Sequence, residues 1–139
     1  GKYTKFTFDD GDKLPKNRLV LECIKDIVKN NGIKTIKQFK NTIKDDWQAD
    51  HGFEEQYKKR KDKPGFIGIA TTEEEAMKLF LDTRYKRFFL DDPIDLPGEV
   101  DDVKYVVSNQ WGANFKTFID AISNEKHRET WKKIKIKDK

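Results

Sequence analysis

RLVLECIKDIVKN, residues 18–30, is the stretch on which the fold turns. Leu19, Val20, Cys23, Ile24, Ile27 and Val28 recur at helical spacing and fall on one face, so the segment reads as an amphipathic helix. Cys23 lies inside that apolar stripe, which suits a packed thiol better than a nucleophile. Asn30-Asn31-Gly32 ends the helix, with Gly32 or Asn31 able to take the left-handed cap. Thr35 can cap a second helix running to Trp47, with Ile36, Phe39, Ile43 and Trp47 on its apolar side. The opposite side carries Lys37, Lys40 and Lys44, again three to four residues apart, with Asn41 beside them. Two helices joined by a short turn, the second basic on its outer face, are compatible with nucleic-acid binding. A merely solvated lysine face explains the same spacing.

On the N-terminal side, residues 2–9 alternate Phe6 and Phe8 with Lys5 and Thr7, the pattern of a strand with one buried face. Asp9-Asp10-Gly11-Asp12 reads as a turn; it lacks the spaced ligands and terminal Glu of a calcium loop. On the C-terminal side, Phe66 to Ala70 is a short apolar strand. Thr71 or Thr72 then caps a helix whose first turn holds Glu73, Glu74 and Glu75, favourable to the helix dipole. Residues 84–90 and 104–108 suggest a two-stranded ribbon joined by an acidic loop with breaks at Pro93 and Pro97-Gly98. Asn114 to Ser123 reads as a helix with Phe115, Phe118, Ile119 and Ile122 inward. Ile134 and Ile136 alternate with lysines in a last edge strand.

The 139 residues fit one domain. Apolar residues are only 35% and charged residues 39%, yet ten Phe, four Tyr and three Trp supply core volume and argue against disorder. One cysteine excludes a disulfide framework and a cysteine zinc site. No apolar run approaches a membrane span and no signal-peptide pattern opens the chain, so a cytoplasmic domain with no membrane partner is expected. The opening Gly1-Lys2 is what a cleaved tag leaves, so the expectation is one domain, 1–139, excised from a longer protein.

Net charge is +4, unevenly spread. Residues 1–70 carry 16 Lys+Arg against 11 Asp+Glu, residues 71–125 carry 6 against 12, and residues 126–139 carry 7 against 2. The basic ends suit a polyanion and the acidic middle would be repelled by one. Lysine outnumbers arginine 24 to 5, which also fits a codon bias. Since Arg is the favoured bidentate reader of guanine, DNA contacts here would be mainly phosphate clamping.

Signals for chemistry are sparse. The glycines form no phosphate-binding loop. His51 and Glu54 could supply two metal ligands but no third at matching spacing, and His127 stands in a Lys-Arg setting where solvent screening is expected. Tyr57 to Lys63 reads as a basic loop or a frayed helix end, either a phosphate patch or a solvated one. Asp102-Val103-Lys104 is a partial match to the acidic-x-Lys of metal-dependent nucleases, though it sits in a loop. No catalytic residue, cofactor or metal is therefore assigned. In Ser108-Asn109-Gln110-Trp111-Gly112-Ala113-Asn114-Phe115, polar amides and a Trp link a strand to a helix. Asn109 and Gln110 could read base edges and Trp111 stack on a base; alternatively Asn109 and Asn114 cap the helix while Trp111 fills the core.

Residues 105–119, together with Lys16 to Leu21 and Lys86 to Phe89, resemble a small accessory domain of uncharacterised bacterial proteins, some associated with restriction or DNA modification. The resemblance implies a winged-helix-like layout: helix, helix, then a β-ribbon wing. An acidic 91–102 loop departs from the basic wing tip such a fold would place on DNA. The expected architecture is α+β, a helical pair packed on a small antiparallel sheet. The expected function is a non-enzymatic, DNA-binding or DNA-associated module. Lys37, Lys40 and Lys44 would hold phosphates of duplex DNA, Asn41 would reach a base edge, and Arg84, Lys86 and Arg87 would flank them. Asn109, Gln110 and Trp111 would form a base-reading pocket. The alternatives are a protein-interaction domain using the acidic loop, with another domain of a parent protein among its partners, and a metal-dependent nuclease.

Overall fold

Alternation of Phe6 and Phe8 with polar residues produces β1, Lys5–Phe8. The chain then reverses through Asp9 and Asp10, both with positive φ (53° and 59°), closed by the Gly11 amide donating to the Phe8 carbonyl at 3.1 Å. Two successive left-handed residues give the reversal that matches strand twist, and Asp tolerates that conformation better than most side chains. The structure, a computed structural model, describes residues 5–48, 68–79, 87–112 and 114–137.

The amphipathic stripe becomes α1, Lys16–Asn30, whose Leu19, Val20, Cys23, Ile24 and Ile27 are buried. Its end is a Schellman motif: Gly32 N–H donates to Lys29 and Ile33 N–H to the Val28 carbonyl, at 3.2 and 3.0 Å, with Gly32 at φ +58°. Thr35 caps α2, Ile36–Thr42, through a full capping box with Gln38. This helix stops five residues short of the expected Trp47, because Ile43 is extended (φ −107°, ψ 98°). The run Thr42-Ile43-Lys44-Asp45-Asp46 has low helix propensity, and a short 3-10 turn, Asp45–Gln48, replaces the missing turns.

Two small antiparallel sheets accompany the helices, so the fold is α+β. In the first, β1 pairs with β4, Ile134–Lys137, in the register Phe6 opposite Ile136 and Phe8 opposite Ile134. The edge strand is as expected, but Ile136 is exposed. In the second, β2, Ala70–Thr72, pairs with β3, Tyr105–Val107. The expected 84–108 ribbon takes a different form. Residues 84–86 lie outside the described residues, and the following segment reaches β3 only by the single bridges Phe88–Ser108 and Ile94–Tyr105. Between those bridges, ion pairs tie it to α1: Arg18 holds Asp91 at 3.0 Å and Lys25 holds Asp92 at 2.5 Å.

Thr72 caps α3, Glu73–Leu79, by accepting the Glu75 amide at 3.1 Å. The last helices are α4, Phe115–Ile122, and the single turn α5, Arg128–Trp131. Asn114 occupies the position before α4 but its side chain makes no capping bond. One apolar cluster joins β1, α1, α2, β3 and α4, with Trp111 and Phe118 edge to face at 5.2 Å. A polar node fastens α1 to α5: Asp26 accepts from Thr130 and Lys133, each at 2.7 Å, and Asn30 at 2.9 Å.

Candidate nucleic-acid interface

Lys37, Lys40 and Asn41 stand at i, i+3 and i+4 on α2 and share one exposed strip, opposite the buried Phe39. Within that strip the lysines differ. Lys40 donates to the Ala70 carbonyl at 3.3 Å and sits 3.9 Å from the Asp45 carboxylate. Asp45 in turn accepts the Ile69 amide at 3.0 Å. Gly68, at φ +89°, is pressed against Asp45 so closely that a Cβ there would lie 2.6 Å from its oxygen. Lys40 therefore braces α2 against β2. Lys44 lies beyond the helix, after extended Ile43, so it is exposed but does not continue the helical face.

The segment after β3 is largely internal. Trp111 is 1% exposed and its indole N–H donates to the Ser108 carbonyl at 2.6 Å. Its ring faces are covered, so it fills the core and offers nothing for a base to stack on. Gln110 is half-buried; its amide donates to the Ser108 hydroxyl and its side chain to Asn109, at 3.2 and 2.6 Å. Gln48 is wholly buried and donates to both Ser108 Oγ and the Gln110 carbonyl, tying the 3-10 turn to this segment at 2.9 and 3.0 Å. Among the expected flanking residues, Arg84 and Lys86 lie outside the described residues, while the Arg87 carbonyl accepts the Asn109 amide at 2.9 Å.

Asn109, one of the expected base readers, opens onto a cleft of about 460 Å³ shared with Asn17, Arg18 and Asp91. Arg18 lies over the Phe89 ring at 4.6 Å while bonded to Asp91. The structure thus brings the start of α1, residues 88–91 and Asn109 together. Sequence spacing gives no sign of this, because the start of α1 lies 70 or more residues before the other two stretches.

The acidic loop is sewn to the helices. Beyond the Arg18–Asp91 and Lys25–Asp92 pairs, Glu99 accepts the Ile36 amide at 3.1 Å and the Gly98 amide donates to Lys34 at 2.7 Å. Arg18 holds the Asp91 carboxyl below the usual carboxylate range. Asp102 is exposed, and Lys104 points its ammonium to Glu73 at 3.8 Å. Among the described residues no group of three or more His, Cys, Asp or Glu could hold a metal; His51, Glu54 and the basic 57–63 stretch lie outside them. Burial, aided by the Asp26 and Glu22 carboxylates, pushes the Cys23 thiol far above its ordinary pKa, as expected of a packed thiol. No helix among the described residues is long and apolar enough to cross a membrane. No protein-family model, curated protein or solved structure matches this chain.

Proposed function

We propose that the chain is a non-enzymatic, DNA-associated module that touches the phosphate backbone along the exposed edge of α2 and the turn after it. The observation that carries this reading is the exposure of Lys37, Asn41 and Lys44 while neither lysine has an ion-pair partner among the described residues. Ammonium groups on flexible stems suit phosphates rather than guanine edges, so affinity would come chiefly from counterion release. The acidic-loop docking alternative is less well supported, because Asp91, Asp92 and Glu99 are already bound within the molecule. The nuclease alternative has Lys104 drawn to Glu73.

The test is a titration of labelled duplex DNA at about 50 and about 200 mM salt with the parent chain and with Lys37→Glu/Lys44→Glu, leaving the bracing Lys40 intact. Affinity should fall steeply with salt, and the double variant should bind far more weakly with a slope shallower by about 2, at roughly 0.9 per lost phosphate contact. Absence of binding at the lower salt, or an unchanged slope in the variant, would overturn the reading.

A further inference from the structure

A second surface, on the far end of α1, has the make-up of a small-ligand site. Between the last turns of α1 and residues 93–97 lies an open cleft of about 510 Å³. Small-molecule sites typically span roughly 300–1,000 Å³ and are mostly apolar with a few placed polar groups. Buried Val28, Ile33 and Ile94 give this one its apolar lining. Its two walls are braced at both ends, by Lys25 on Asp92 at 2.5 Å and by the Gly98 amide on the Lys34 carbonyl at 2.7 Å. The Schellman turn at Gly32 fixes the corner between Val28 and Ile33. The cleft is therefore formed before anything binds, and a ligand would lose little affinity to ordering it.

Its charges are unequal. Lys25 is compensated by Asp92, whereas Lys29 and Lys34 line the cleft without an acidic partner among the described residues. Asp95 contributes one carboxylate from the other wall. Two free cations beside an apolar lining attract a single negative charge carried on an apolar body, and Asp95 repels a second. We propose that this cleft binds a small monoanion with an apolar frame, an aryl- or alkyl-carboxylate, its charge at Lys29 and Lys34 and its body against Val28, Ile33 and Ile94. This site shares no residue with the α2 strip, so it stands or falls apart from the DNA reading.

Isotope-labelled protein would be titrated by NMR with phenylbutyrate, and in parallel with phenylbutylamine and phenylbutanol. Phenylbutyrate should shift the amides of residues 28–34 and 94–95, and the amine should bind about tenfold more weakly or worse, a discrimination of roughly one ion pair plus one repulsion. Lys29→Ala/Lys34→Ala, both surface changes that leave the fold intact, should weaken phenylbutyrate by about fivefold. Lys37→Glu/Lys44→Glu should leave it unchanged. Equal binding of the amine, shifts scattered away from the cleft, no shifts, or indifference to the Lys29/Lys34 change would each overturn the proposal.

Discussion

At the scale of single residues, His127 departs most from its sequence context. Its lysine and arginine neighbours suggest solvent, yet it is 4% exposed, with Nδ1 unpartnered and its ring edge-on to Trp47 at 5.3 Å. The side chain turns inward because Asn124 Oδ1 collects the amides of Lys126 and His127, at 2.9 and 3.3 Å, and coils the chain. Burial, with Lys126 adding to it, lowers the His127 pKa from 6.5. The unfolded chain then takes up the proton more readily than the folded one. The resulting stability is present above about pH 6.5 and lost as pH falls through the lowered value. Urea denaturation between about pH 7.5 and pH 5 should show that decline, and His127→Phe should flatten it. Equal slopes in the two proteins would refute the assignment. Asp10 and Asp91, held below 3.8 by Lys135 and Arg18, lose their contribution only at more acid pH.

At the scale of elements, two glycines that look alike in the sequence as turn residues have different reasons to be glycine. Gly32 has φ +58° and open space where a Cβ would go, so Gly32→Ala pays only backbone strain, about 1 kcal/mol. Gly98 touches the α1–α2 connection, where a Cβ would lie 2.7 Å from the Lys34 carbonyl and 2.9 Å from the Thr35 methyl. Gly98→Ala must push the acidic loop off α2, at a cost of about 1–3 kcal/mol. Hydrogen exchange separates the two variants. Gly98→Ala should lose protection at the Gly98 and Ile36 amides, whose acceptors are Lys34 and Glu99, while Gly32→Ala should keep it. Retained protection at both amides in Gly98→Ala would show that the loop is not anchored there. The turn at Pro97-Gly98 is legible from composition; the close approach is not, since it depends on where the loop lands.

For the whole molecule, the internal segment after β3 is the junction. Trp111 packs on Phe118 of α4, bonds back to Ser108, and adjoins Gln110, whose carbonyl is held by Gln48 from the 3-10 turn. Trp111→Ala should cost about 3–5 kcal/mol and shift one cooperative urea transition to lower denaturant without splitting it. A biphasic curve would mean that α4 and the β2–β3 sheet unfold apart. The sequence by itself determined the α+β class, α1 with its stop at Asn30-Asn31-Gly32, the Thr35 cap, a cap at Thr71 or Thr72, β1, β3, α4 and the terminal strand. These depend on apolar period and capping chemistry, which act over a few residues. Only the tertiary structure decided that Lys40 braces β2 and that Trp111 is enclosed. It also decided that β3 takes β2 as its partner, and that Asn17 and Arg18 share a cleft with Asn109. Each joins groups far apart in the chain, and which surfaces meet is settled by the joint burial of all the apolar faces and by ion pairs between distant segments, neither of which leaves a local pattern.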